Sequence, residues 1–308
     1  MDRLRAMRAF VLVAEEEGFA PAALRLGMSA PAVTRAVAGL EGHLGTRLFK
    51  RTTRVVRLTE AGARYFTDCK RILGEVDEAE ASATGAHSEP RGLIGVTAPS
   101  MFGRMFVAPL LIDFLALHPQ IKARTLLVDR VVDLIEEGLD VAIRIAHLPD
   151  SSLSAIRVGS VRRVVCAAPA YLAEHGSPNT PADLMRMEAI DFSFAAQQQQ
   201  WSFPMGGKTK IVKPPVRLIV NTAEVAIAAA VAGRGVARLL SYQVGPELRS
   251  GALLIVLADF EPPPVPIHIA HVEGRHAARR IRAFVDYAVR RLRAERSLAT
   301  GNPVPQGL

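Results

Sequence analysis

The apolar residues change their spacing once along this chain, at Gly-Ala-His-Ser-Glu-Pro-Arg-Gly (85–92), and the change demands a different architecture on each side. Before it, apolar residues keep a helical period: Met7, Phe10, Val11 and Ala14 sit at offsets 0, 3, 4 and 7, one buried face of a helix. After it, apolar runs alternate with helical stretches. Strands are expected over 92–100, 121–128 and 139–145, with helices over 103–118 and 130–138. A second run follows, with strands over 162–172, 216–221 and 235–240 and helices over 223–233 and 241–250. A strand over 266–272 and a helix over 275–294 close the pattern. Such alternation predicts parallel sheet with crossover helices, an α/β architecture. The 85–92 stretch is the linker, residues 301–308 are expected to be disordered, and Gln197–Gln200 is too short to be more than a loop. No repeat of fixed period is present.

The helical side carries an unusual surface. The first helix ends at Gly18, Pro21 suits the first turn of a short helix over 21–26, Gly27 ends that helix and Ser29 caps the next. In Ser-Ala-Pro-Ala-Val-Thr-Arg-Ala-Val-Ala-Gly-Leu-Glu (29–41), Val33, Val37, Leu40 and Leu44 form the buried stripe. The opposite face holds Ala30, Pro31, Thr34, Arg35 and Ala38, small residues with one cation. Helix, tight turn and helix in this order make a helix-turn-helix. The major groove of B-DNA admits one helix, and small residues let its backbone approach. Thr34 suits a base edge or thymine methyl, Arg35 a guanine or phosphate, and Ser29 with the first amides a phosphate. The bland alternative is a core helix with an idle outer face. The short helix before it, the basic stretch after it and the seam described next weigh against that.

Arg47, Lys50, Arg51, Arg54 and Arg57 are five cations with no acid before Glu60, and two β-prone pieces flank Thr52-Thr53 as a small hairpin or wing. Residues 1–58 hold ten Lys and Arg against five Asp and Glu, part of a formal net charge of +8, and a second basic cluster runs from Arg279 to Arg296. A basic balance favours a polyanionic partner. Thr59 caps a long helix on which Tyr65, Cys69, Ile72, Val76, Ala79 and Ala83 are spaced 4, 3, 4, 3, 4. That is a heptad seam with little in one copy to bury it, so a partner helix is expected.

Several readings are set aside. Cys69 and Cys166 make no disulfide framework and no metal-ligand spacing; both sit among apolar residues and are expected to be buried and inert. The eight histidines show no ligand spacing, so no metal and no cofactor is expected. Ala-Gly-Arg-Gly (232–235) follows a helix, so it is a helix-to-strand turn and not a phosphate loop. An enzyme would need a nucleophile with its base, or a phosphate loop, and neither is visible. Charges at Asp2, Arg3, Arg5 and Arg8 leave no secretory apolar core, and no run approaches the roughly 18–20 apolar residues of a membrane span. A cytoplasmic protein that works away from the membrane is expected, which also speaks against an exported solute-binding protein.

Residues 22–62 resemble the winged helix-turn-helix of LysR-type transcriptional regulators. The pattern comprises Ala22-Ala23, Leu26, Ser29, Ala32-Val33-Thr34, Leu40-Glu41, Leu44-Gly45, Leu48-Phe49, Arg51 and Leu58-Thr59-Glu60-Ala61-Gly62. The resemblance extends to about residue 294. It implies that Ser29, Ala30, Pro31, Thr34 and Arg35 face DNA, and that Arg51, Thr53 and Arg54 lie in the wing against backbone or minor groove. Two positions depart: Ala30 stands where the family often has Gln, and Ala20 where a Ser or Thr cap is frequent. The C-terminal two-thirds resembles the family's effector domain, itself similar to periplasmic solute-binding proteins, with two α/β lobes around a cleft. The implied domains are 1–59 (DNA binding), 60–91 (dimerisation helix and hinge), 92–296 (effector binding) and a 297–308 tail. Within the effector domain, lobe I takes 92–162 and 267–296 and lobe II takes 163–266, with crossings near 161–164 and 264–267.

Ligands of open α/β sheets bind beyond the carboxyl ends of strands. That selects Pro99, Ser100, Met101, Val128, Asp129 and Arg144 from one lobe, and Phe192, Phe194, Asn221 and Thr222 from the other. Ser100 opens a helix and suits a carboxylate. Arg144 either pairs with that anion or forms a salt bridge inside the protein. Trp201 either lines the cleft or packs the second lobe. The family further implies a homodimer through the 60–86 helix, a homotetramer, an inverted-repeat duplex as partner and a small effector that changes DNA bending.

Overall fold

A computed structural model describes residues 2–51, 56–83, 89–147, 154–192, 200–271 and 277–299 of the protein. Thr53, Arg54, Phe194, the first half of the 85–92 linker and the 301–308 tail lie outside them. The chain divides into two units, Met1–Glu89 and Pro90–Leu308.

In the first unit, helix α1 (Arg3–Glu15) starts where the Asp2 carboxylate accepts the Arg5 N–H at 3.1 Å, and it buries Met7, Phe10, Val11 and Val13. Helix α2 (Phe19–Leu26) ends at Gly27, whose φ of 61° is a left-handed cap. Its N-cap is Gly18, so Ala20 lies inside the first turn and is not the capping position; Gly18 supplies no side-chain bond. Helix α3 (Ala30–Leu44) follows from Ser29, and strands β1 (Phe49–Arg51) and β2 (Val56–Leu58) pair antiparallel as the expected hairpin. Helix α4 (Glu60–Ala83) begins where Thr59 Oγ1 accepts the Gly62 N–H at 2.9 Å. The core gathers around Phe10, whose ring lies 5.2 Å from Phe49 and 5.6 Å from Tyr65. Cys69 and Leu73 are buried in the same core, with Tyr65 and Ile72 packed against it. The first half of the heptad seam is therefore used inside the unit, and Leu73 is the last residue of α4 in the core among the described residues.

The second unit repeats one plan. Its first sheet collects β3 (Gly92–Ala98), β4 (Ile121–Leu127), β5 (Val141–Ile145), β6 (Ser154–Val161) and β14 (Val265–His271), in the order β4-β3-β5-β14-β6. The second collects β7 (Arg163–Ala167), β8 (Ala189–Phe192), β11 (Val216–Val220), β12 (Val236–Leu240) and β13 (Leu254–Val256), in the order β11-β8-β12-β7-β13. A hairpin of β9 (Trp201–Met205) and β10 (Lys208–Val212) stands apart. Four strands of each sheet point one way and one points back: β14 is antiparallel to β5 and β6, and β7 is antiparallel to β12 and β13. The expected parallel sheets are thus mixed. Parallel neighbours need a crossover connection, whereas β14 and β7 are the strands by which the chain enters a sheet from the other one, β7 directly after β6 through Arg162 alone.

Between the strands lie α5 (Ser100–Phe102), a π turn (Gly103–Val107), α6 (Ala108–Leu117), α7 (Pro169–His175), α8 (Ala223–Val231), α9 (Gly245–Arg249) and α10 (Arg279–Arg293). Ser100–Leu117 has the length and composition of a membrane span, contrary to the sequence expectation, yet it packs Phe102, Val107, Leu110, Leu111 and Phe114 into the core. The expected helix over 130–138 is a series of turns. Asp133 accepts the N–H groups of Ile135 (2.8 Å) and Glu136 (3.1 Å), a local bond that competes with a helix. The 162–172 strand stops at Ala167, where Pro169 opens α7, and the 241–250 helix shrinks to α9.

Candidate nucleic-acid interface and ligand site

Helix α3 is fixed at both ends. Ser29 Oγ accepts the Ala32 N–H at 3.4 Å, and Pro31 occupies the first turn, where its missing donor is harmless. At the other end the buried Glu41 carboxylate accepts the N–H groups of Leu48 (2.8 Å) and Phe49 (3.2 Å), with the exposed Arg47 guanidinium 3.6 Å away. This carboxylate ties α3 to the first strand of the hairpin, a role the sequence does not announce because its partners are backbone amides. A second tie runs from Thr59, whose hydroxyl donates to the Arg47 carbonyl at 2.8 Å and whose N–H reaches Leu48 O at 2.9 Å.

The predicted stripe of Val33, Val37 and Leu40 is buried, while Leu44 is exposed. On the opposite face Ser29, Pro31, Arg35, Ala38 and Gly39 are exposed, and Ala30 and Thr34 are half-buried. Thr34 donates its hydroxyl to the Ala30 carbonyl at 2.9 Å, so its proton is committed within the helix. Arg35 makes no ion pair among the described residues. In the hairpin Lys50 stands directly opposite Arg57 and both are exposed; Arg51 ends β1 opposite Val56. Like charges facing across strands repel, an arrangement that an external anion relieves.

The C-terminal arginines differ. Arg280 is buried against the Leu93 carbonyl (3.0 Å) and Asp140 (3.8 Å), Arg291 pairs with Asp113 at 2.9 Å, and Arg293 donates to the Arg157 carbonyl at 2.9 Å. Part of the positive charge at that end is thus engaged inside the second unit.

Within that unit, the predicted ligand residues fall at strand ends. Pro99 precedes α5 and Met101 is buried. Ser100 is fully engaged: its N–H donates to Asp129 Oδ1 at 3.2 Å and its hydroxyl to the Leu127 carbonyl at 3.3 Å. The half-buried Val128 donates its N–H to the Ala98 carbonyl at 3.0 Å. Arg144 does not share a partner with Ser100; its Nη2 donates to the Val132 carbonyl at 3.3 Å, it makes no ion pair among the described residues, and burial pushes its pKa down. The internal salt bridge weighed for it is therefore not formed among these residues. On the second sheet Phe192 is half-buried at the end of β8, Asn221 is exposed, and Thr222 precedes α8 without a side-chain cap bond. Trp201 is buried in the core.

The structure brings the two sets of strand ends together through residues that sequence reasoning passed over. Tyr242 packs edge-on against Phe102 at 5.4 Å and Phe106 at 5.9 Å, and Arg104 pairs with Glu224 at 3.1 Å. Burial pushes the Tyr242 phenol far up, so it stays protonated. Arg162, the residue between β6 and β7, forms a two-bond pair with Glu261, both bonds 2.7 Å. Among the described residues no three His, Cys, Asp or Glu gather as a metal site. Both cysteines are buried, and burial raises Cys69 to about 11 and Cys166 to about 12, so neither thiol is reactive near neutral pH.

Residues 4–63 match the family model for the bacterial regulatory helix-turn-helix protein, lysR family, and residues 87–293 match the LysR substrate binding domain. An HTH-type transcriptional repressor of Pseudomonas aeruginosa is 34% identical over 292 residues, covering 94% of this chain and 92% of its own. An uncharacterized HTH-type transcriptional regulator of Haemophilus influenzae is 34% identical over 276 residues, covering 90% and 96%. Among solved structures, CrgA, a LysR-type transcriptional regulator from Neisseria meningitidis, matches with a TM-score of 0.60 at 30% identity, covering 94% of this chain and 98% of that one. The full-length Vibrio cholerae virulence activator AphB matches with a TM-score of 0.59 at 25% identity, covering 93% and 98%.

Proposed function

Since this chain belongs to the LysR family of transcriptional regulators, and so joins a DNA-binding helix-turn-helix to a substrate-binding domain and is no enzyme, we propose how its residues divide that work. The exposed face of α3 reads base edges in the major groove. Arg35 reaches a guanine or phosphate; Thr34, its proton committed to Ala30, offers a methyl to thymine. Ser29, Ala30 and Pro31 bring the helix start against a phosphate, and Arg51, Thr53 and Arg54 hold the wing on the backbone. The observation that carries this reading is a helix locked at both ends by Ser29 and Glu41 that leaves a small, singly charged face uncovered.

Two copies pair through α4, which continues past Leu73, the last residue it buries in its own core among the described residues, and two dimers associate as a tetramer on an inverted repeat in the cytoplasm. A small effector bearing a carboxylate binds between the two sheets, among Pro99, Ser100, Met101, Val128, Arg144, Phe192, Phe194, Asn221 and Thr222. Arg144, which makes no ion pair among the described residues and donates only to the Val132 carbonyl there, supports an anion at this place. Because Asp129 already holds the Ser100 N–H, the effector carboxylate has to displace it. Binding then favours one of two arrangements of the dimers and changes DNA bending by differential affinity.

Duplex binding across a panel of base substitutions tests the reading. Arg35→Ala is expected to flatten discrimination by about 1–3 kcal/mol at one or two positions, and Arg51→Ala to weaken all duplexes alike. An unchanged panel for Arg35→Ala removes α3 from the groove. Ser100→Ala is expected to abolish the effector response while promoter affinity stays; an intact response relocates the ligand.

A further inference from the structure

The second sheet holds two guanidinium groups that no carboxylate among the described residues neutralises. In the pairing of β7 with β12, Arg238 stands opposite Val165 and Leu240 opposite Arg163, so Arg163 and Arg238 share one face of the sheet, diagonal neighbours on adjacent strands. Both are half-buried, and neither forms an ion pair among the described residues. Arg238 is held in place without being satisfied. Its Nη2 donates to the Ser202 carbonyl at 2.9 Å, its guanidinium lies 5.2 Å from the centre of the Phe203 ring, and its Nε is buried with no hydrogen-bond partner. Burial, and secondly the charge of Arg163, push the Arg238 pKa down to about 10; burial alone pushes Arg163 down. Burying one unpaired cation is unfavourable and setting a second beside it adds repulsion. Native proteins rarely leave such groups unanswered without a ligand to answer them.

Their position gives the arrangement a use. Arg163 opens β7 directly after the crossing residue Arg162, at the end of the sheet where β8 and β11 finish at Phe192 and Val220. That is the end assigned above to the effector. We propose that Arg163 and Arg238 form an oxyanion-binding subsite in the second lobe, which takes a group carrying two negative charges, with Phe203 and Ser202 orienting one of the two guanidinium forks. Paired guanidinium groups match the planar or tetrahedral oxygens of carboxylate, phosphate or sulfate. The inference rests on the reading of the space between the sheets as the ligand site and adds, to the contact at Ser100, a second anion contact on the opposite lobe. The source of the group is either a free inorganic oxyanion or an organic effector with two acidic groups.

Thermal unfolding of the full-length protein with phosphate, sulfate, malonate or citrate, against chloride at matched ionic strength, tests it. The wild type is expected to gain about 5–10 °C in Tm at roughly hundred-fold excess over Kd. Phosphate and sulfate acting alone identify the inorganic source; malonate and citrate acting alone identify an organic dianion. Arg163→Gln is expected to erase the gain without lowering the Tm in chloride, because it also removes the repulsion; a merely structural arginine would lower that baseline. Arg163→Lys is expected to restore part of the gain, so the case stands even where Arg238→Gln fails to fold. A gain retained in Arg163→Gln, or no gain with any of the four anions, overturns the subsite. A gain lost in Arg144→Gln but kept in Arg163→Gln also overturns it, and places the anion at Arg144 with the ligand reading intact.

Discussion

The Glu41 carboxylate sits buried in the first unit, where it accepts two backbone amides and makes a longer contact to Arg47. Removing it leaves the Leu48 and Phe49 N–H groups buried without an acceptor, so Glu41→Ala is expected to lose about 2–4 kcal/mol in urea unfolding. Gly62 is constrained by space. A Cβ there would come within 2.0 Å of the Leu48 carbonyl oxygen, which is backbone and cannot yield, so Gly62→Ala is expected to lose at least about 2 kcal/mol by the same measurement. The resemblance quotes both residues, yet the residues alone do not explain them, because each acts on backbone atoms of another element, seven or eight residues away for Glu41 and fourteen for Gly62. The cysteines behave differently: their apolar neighbours made burial legible. Each thiol has a folded pKa above its ordinary value of 9.0. The unfolded chain therefore ionises first, and stability that is intact below about pH 9 falls as pH rises toward about 11 for Cys69 and 12 for Cys166. Unfolding midpoints measured from pH 7 to 11 are expected to decline only above 9, and less steeply in Cys69→Ala.

Elements whose signals are local were readable. Gly27 and Ser29 mark the turn, Thr59 marks the start of α4, and the strands β3, β4, β5, β12 and β14 follow apolar runs. The failures have separate causes. Asp133 took two amides from a stretch with helical spacing. The β9–β10 hairpin turns on Gly206-Gly207, both with positive φ, a two-residue hairpin signal that the sequence carries. The proposed ligand site was legible only as a set of strand ends, because register decides which side chains share a face: Arg163 and Arg238 are far apart in sequence and become neighbours only when β7 pairs with β12. The crossing element rests on Arg162 and Glu261, joined by two bonds and both largely buried. Breaking such a pair strands the remaining charge. Glu261→Ala is expected to lose about 2–4 kcal/mol, whereas an exposed pair such as Arg217 with Glu188 is expected to contribute less than about 1 kcal/mol; parallel urea curves for Glu261→Ala and Arg217→Ala separate the two.

For the molecule as a whole, a net charge of +8 points toward a polyanion, but the total conceals where the charge is available. Arg280, Arg291 and Arg293 engage Asp140, Asp113 or backbone carbonyls within the second unit. Lys50 and Arg57 face each other, exposed, on the hairpin of the first. Counterion release depends on cations that reach phosphates, so the slope of log K against log salt counts the available charges and ignores the engaged ones. Lys50→Ala is expected to weaken duplex binding and reduce that slope by about 1 per bound site. Arg291→Ala removes the same formal charge and is expected to leave both affinity and slope unchanged, with at most about 1 kcal/mol of stability lost with the Asp113 pair. Equal effects of the two substitutions on the slope would mean that overall charge, and not its placement on the hairpin, drives the protein onto DNA.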